Sequence, residues 1–72
     1  MDIKIEVEKN YDGTRTRIVG FVNGRDIMSI SNHIFGEWNV GSSTCLPSDM
    51  DEAKAIVECM VQTFAMAKTH GA

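Results

Sequence analysis

Residues 3–9 alternate cleanly, with Ile3, Ile5 and Val7 at odd positions and Lys4, Glu6 and Glu8 between them. Period-two alternation is the mark of a half-buried β-strand. Asn10-Tyr11-Asp12-Gly13-Thr14 follows and has the chemistry of a three-residue hairpin loop, a type I turn closed by a left-handed glycine at Gly13. That loop sets Asn10 against Thr14, Ile5 against Val19 and Ile3 against Phe21. A two-residue loop would instead flip the first strand, so that Ile3, Ile5 and Val7 join Ile18 and Val22, since a slip of one residue exchanges the faces of a strand. The three-residue loop is preferred because it segregates apolar from charged side chains better.

Val22-Asn23-Gly24-Arg25 encodes a second hairpin, because Asn-Gly tolerates the positive φ that both central positions of a type I′ turn require. It sets Val22 against Arg25, Val19 against Met28 and Arg17 against Ile30. Chained together, the two registers gather Ile3, Ile5, Val7, Val19, Phe21, Met28 and Ile30 on one core face. The opposite face then carries Ile18, Val22 and Ile27 around Gly20, an aliphatic patch left free for a partner.

Trp38 and Val40 share a parity that predicts a short fourth strand, and residues 41–47 read as a connector. Pro47-Ser48-Asp49-Met50-Asp51-Glu52 opens a helix over about 48–69, with Ser48 as N-cap and three carboxylates at the positive end of its dipole. Lys68 and His70 suit its negative end, and Gly71 stops it. Met50, Ala53, Val57, Met60, Val61 and Phe64 recur at helical spacing and form the stripe expected to cover the sheet. Ala55, Cys59 and Met66 make a weaker second stripe on the back. The fold class expected is α+β: a three- or four-stranded antiparallel meander over about 2–40, then one helix across a single face.

Seventy-two residues make one small domain, and a chain of this size buries only about 60% of the surface its unfolded form exposes. Such domains usually need a disulfide, a metal or a second chain. The two cysteines, Cys45 in the connector and Cys59 in the helix, read as free thiols of a cytoplasmic protein. No apolar leader is expected ahead of the first strand, and no apolar run approaches the ~20 residues of a membrane span. Self-association or binding to another protein is therefore the expected supplement, with a homodimer through Ile18, Gly20, Val22 and Ile27 the first expectation.

Charge argues against a general nucleic-acid binder. The net charge is −3, and beyond residue 36 five acidic side chains face only Lys54 and Lys68. Arg15, Arg17 and Arg25 form the one local basic cluster. With Tyr11 and Trp38, it supports single-stranded nucleic-acid binding as the alternative reading, because such proteins combine basic and aromatic side chains across a sheet.

Candidate chemistry is thin. His33, Cys45, Cys59 and His70 lack the close spacings of a zinc site. Cys45 and His33 are the sole pair from which a thiol nucleophile could be assembled, and nothing in the sequence shields or orients them. Asp49, Asp51 and Glu52 are explained by the helix dipole, so neither a catalytic group nor a cofactor is expected. A short, acidic, two-layer chain without catalytic residues resembles in general character the accessory proteins of bacteriophages and prophages. It also resembles small antitoxins and adaptor subunits. That resemblance implies a non-enzymatic adaptor or inhibitor that binds another protein, and it assigns no residue.

Overall fold

The computed structural model describes residues 2–33, 39–42 and 46–71. In chain order the elements are β1 (Ile3–Lys9), β2 (Arg15–Val22), β3 (Arg25–His33), β4 (Asn39–Ser42) and α1 (Met50–Gly71). The strands form one antiparallel sheet in the order β1-β2-β3-β4, and α1 packs across β1, β2 and β3 on one face. This is the predicted α+β meander with a C-terminal helix. The fourth strand is present, with Val40 opposite Ile30, while Trp38 lies outside the described residues.

The first hairpin corrects the expected register. Asn10 N donates to the Arg15 carbonyl at 3.2 Å, so the loop is four residues long, from Tyr11 to Thr14. Polar side chains take the additional residue into the turn. Thr14 N and Oγ1 both donate to Asp12 Oδ1, at 3.0 and 2.7 Å, and Asn10 Nδ2 donates to Thr14 Oγ1 at 2.9 Å. Gly13 does adopt the expected left-handed conformation, at φ +74°. Ile3 therefore faces Val22, Ile5 faces Gly20 and Val7 faces Ile18, one residue away from the predicted pairing.

The second hairpin begins as expected, with Val22 opposite Arg25 and positive φ at Asn23 and Gly24. A bulge then shifts the ladder. Phe21 pairs with Asp26 but Gly20 pairs with Met28, leaving Ile27 as the additional residue in β3. Val19 consequently meets Ser29 and Arg17 meets Ser31, not Met28 and Ile30.

Two odd shifts in succession turn β2 over between its neighbours. Ile3, Ile5, Met28 and Ile30 stand on the helix side as expected, and Ile18 and Val22 of β2, with the bulged Ile27, are buried among them. Val19 and Phe21, expected in that layer, belong to the opposite side of the sheet, where Val19 is nonetheless buried.

The helix is rotated to match. Its sheet-facing side is Glu52, Ala55, Ile56, Cys59, Met60, Thr63, Met66 and Ala67, which contains the stripe read as its back. Of the stripe expected to cover the sheet, Met60 alone joins the core clusters, while Met50, Val57, Val61 and Phe64 are exposed. Steric fit sets this choice. Cys59 and Thr63 stand one helical turn apart directly over Gly20, where a Cβ would lie 2.6 Å from Cys59 Sγ and would also overlap the Thr63 hydroxyl. Small side chains let helix and sheet approach there, and bulky ones would hold them apart. Both polar groups in the contact are satisfied. Thr63 Oγ1 donates to the Cys59 carbonyl at 2.7 Å, and Cys59 Sγ donates to the Phe21 carbonyl at 3.8 Å.

Helix entry also differs by one position. Asp49, not Ser48, is the N-cap: its carboxylate accepts from Glu52 N at 2.8 Å and its carbonyl accepts from Ala53 N. Ser48 instead donates twice to the Glu52 carboxylate, from N at 3.3 Å and from Oγ at 3.1 Å. The Glu52 side chain is almost fully buried and is met from the second hairpin by Arg25 Nη2 at 2.7 Å. This ion pair ties the start of the helix to the end of the sheet that holds Val22.

Candidate interaction surface

The aliphatic patch predicted as an interface is core. Ile18, Gly20, Val22 and Ile27 lie under α1, so none of them offers an open surface to a partner. The cause is the pair of register shifts, which turned Ile18, Gly20 and Val22 of β2 toward the helix and brought Ile27 inward at the bulge.

The three arginines are divided between faces. Arg15 and Arg17 share the side of β2 away from the helix, whereas Arg25 pairs with Val22 and turns toward Glu52. Arg17 is engaged by Glu8 at 3.5 Å and by Asp26 at 4.0 Å. Tyr11 stands fully exposed at the tip of the first turn. Cys45 and the side chains of His33 and His70 lie outside the described residues. Burial raises the pKa of the Cys59 thiol, and a hydrogen bond to Thr63 acts in the other direction. A thiol of that kind is a packing group and a poor nucleophile. Among the described residues no three His, Cys, Asp or Glu side chains converge as a metal site requires, and no helix is long and apolar enough to cross a membrane.

Among the described residues two surfaces stand out as unpartnered. The first is the outer side of α1. Met50, Val57, Val61 and Phe64 are 70%, 61%, 58% and 48% exposed and recur every three, four or seven residues, which aligns them in one stripe. The helix meets its packing requirements with its other side, so nothing in the core needs this row. Sequence reasoning found these residues and assigned them to the wrong layer. The small residues at 55, 59, 63 and 67, matched to a glycine in mid-strand, were the signal for the correct rotation.

The second surface is the outer edge of β1. Asn23 N donates to the Asp2 carbonyl and Asn10 N to the Arg15 carbonyl, so the even-numbered residues of this strand turn their backbone groups toward β2. The N–H and C=O groups of Ile3, Ile5 and Val7 therefore point away from the sheet, and among the described residues no strand pairs with that edge.

No protein-family model matches the chain, and no curated protein or solved structure is significantly similar to it.

Proposed function

We propose that this chain is a non-enzymatic protein-interaction module, a small adaptor or inhibitor that docks on an apolar protein surface through the outer stripe of α1. The observation that carries the reading is the exposure of Val57, Val61 and Phe64 in a row on a helix already packed by its other side. Aligned exposed apolar side chains of this kind mark contact sites more often than scattered single ones do. Helix-in-groove recognition uses the same spacing of anchors. The buried Cys59 thiol and the dipole-serving carboxylates near Asp49 leave the described residues without a reactive group to support an enzymatic reading. The split arginines and the acidic helix give nucleic-acid binding less support than the stripe gives protein binding.

A photo-crosslinking amino acid placed at Val61 tests this in the organism's own cells. A discrete adduct is expected from position 61, none from the more exposed Tyr11, and loss of the adduct when Phe64→Glu is added. Equal labelling from both positions, or none from position 61, overturns the proposal.

A further inference from the structure

We infer that two copies of this chain join through the β1 edges, antiparallel and centred on Ile5, to make one continuous eight-stranded sheet. The inference is independent of what the helix stripe binds.

The two edges of the sheet differ. β4 has four residues and contains Gly41, a short edge of the kind proteins use to discourage pairing. β1 has seven residues, with no proline, no glycine and no bulge against β2. Its outward backbone groups belong to Ile3, Ile5, Val7 and Lys9, so only registers that pair odd residues with odd residues make hydrogen bonds.

Centring on Ile5 places Ile5 opposite its twin and Ile3 opposite Val7 of the second copy. Two hydrogen bonds cross the Ile5 pair and two cross each Ile3–Val7 pair, which satisfies every outward group of those three residues. Their side chains all lie on the helix side, where Ile3 and Ile5 are half-buried and Val7 is exposed. Pairing buries apolar against apolar along the whole row.

On the other face the same register sets Lys4 against Glu6 of the second copy, twice by symmetry. Lys4 and Glu6 already lie 2.9 Å apart within one strand and are both accessible, so the cross-strand pairs extend an existing surface ion pair. At the ends Asp2 meets Glu8, and Arg17 stands 3.5 Å from Glu8 to neutralise it. The neighbouring registers are worse. Moving the centre to Glu6 opposes two Glu6 side chains and sets Ile3 against Lys9, and moving it to Lys4 opposes two lysines. The charge pattern therefore selects one self-complementary alignment. Both helices then stand on one side of the joined sheet, each with its outer stripe free.

Lys4→Glu and Glu6→Lys test the register without touching the core. Each single variant turns two attractive pairs into repulsive ones and is expected to weaken the wild-type dimer at least tenfold by sedimentation equilibrium. An equimolar mixture of the two variants restores complementarity at both pairs, so a heterodimer should dominate in native mass spectrometry. The double variant K4E/E6K should regain wild-type affinity. A wild-type chain that stays monomeric at millimolar concentration overturns the inference. So does a dimer that Phe64→Glu dissolves and Lys4→Glu leaves intact, or a mixture without heterodimer. Crosslinking from position 61 to a different protein is unaffected by any of these results, which separates this inference from the function proposed above.

Discussion

Gly20 of β2 lies so close beneath Thr63 of α1 that a methyl group on it would overlap the threonine hydroxyl. This contact determines which side of the helix meets the sheet. Gly20→Ala is expected to cost about 1–3 kcal/mol, the usual range for overpacking a tight contact. Adding Thr63→Ala should return part of that loss, and a double-mutant cycle in urea would show the two sites coupled. Additive effects would mean that the helix does not ride on this point.

The clamp at the helix entry makes a second prediction. Arg25→Ala removes the cation 2.7 Å from the buried Glu52 carboxylate and leaves it, among the described residues, the two donors of Ser48. Arg25 is half exposed, so the loss belongs at the low end for a charged hydrogen bond, about 1–2 kcal/mol. Asp49→Ala should cost about 1 kcal/mol through the lost cap. Thermal melts of the two variants should both fall below the wild type.

Thiol chemistry supplies a pH dependence. Burial lifts the Cys59 pKa above its ordinary value of 9.0, although the Thr63 hydrogen bond offsets part of the rise. Above pH 9.0 the unfolded chain releases this proton while the folded chain still holds it. The unfolded state then binds fewer protons, and stability falls as pH increases toward the folded pKa. In a Cys45→Ser background, denaturation midpoints should be insensitive to Cys59 below pH 9 and decline above it. Cys59→Ala should flatten that decline. Iodoacetamide should label Cys59 slowly in the native protein and quickly in urea.

How far the sequence spoke for the fold is clearest at the turns. Gly13 and Gly24 announced both hairpins, and both have the positive φ expected of them. The alternation of β1 and the acidic opening of α1 were equally plain. Ile3, Ile5, Met28 and Ile30 were placed in the core correctly, but which way β2 would face between them was not legible, because facing depends on parity. One additional loop residue, held by Asp12 and Thr14 side chains, and one bulged residue at Ile27 each reverse it locally. Neither changes composition or periodicity enough to be read without coordinates. On the helix, hydrophobicity favoured the large stripe, whereas the shape of the sheet at Gly20 demanded the small one. The candidate site followed the same error: Ile18 and Ile27 were taken for surface, and Val57 and Phe64 for core.

The rotated helix predicts opposite responses from adjacent residues. Val61→Ser should change stability by no more than about 0.5 kcal/mol, as exposed substitutions usually do. Met60→Ala, which removes a side chain packed against both core clusters, should cost about 2 kcal/mol, the low end for a core methionine. Equal losses would place both residues at the same depth.

Shortening the first loop tests how far the turn itself sets the register. Deleting Thr14 leaves a three-residue loop that still closes Asn10 on Arg15 and keeps Ile5 opposite Gly20, at the cost of the hydrogen bonds Thr14 makes with Asp12 and Asn10. The variant should keep its amide dispersion in NMR spectra and lose about 1 kcal/mol, whereas loss of cooperative unfolding would mean that the four-residue turn dictates the pairing. Gly13→Ala, which keeps the length but strains φ +74°, should cost only about 1–2 kcal/mol.

Opposite the glycine that admits the helix, β3 supplies two consecutive inward side chains, Ile27 and Met28, where an unbroken ladder would supply one. The hollow above Gly20 is filled from the other side, by Cys59 and Thr63. A lineage that enlarged residue 20 would therefore have to trim the side chain at 59 or 63 to keep the two layers in contact. The two changes should be inherited together, as a single event written in two places.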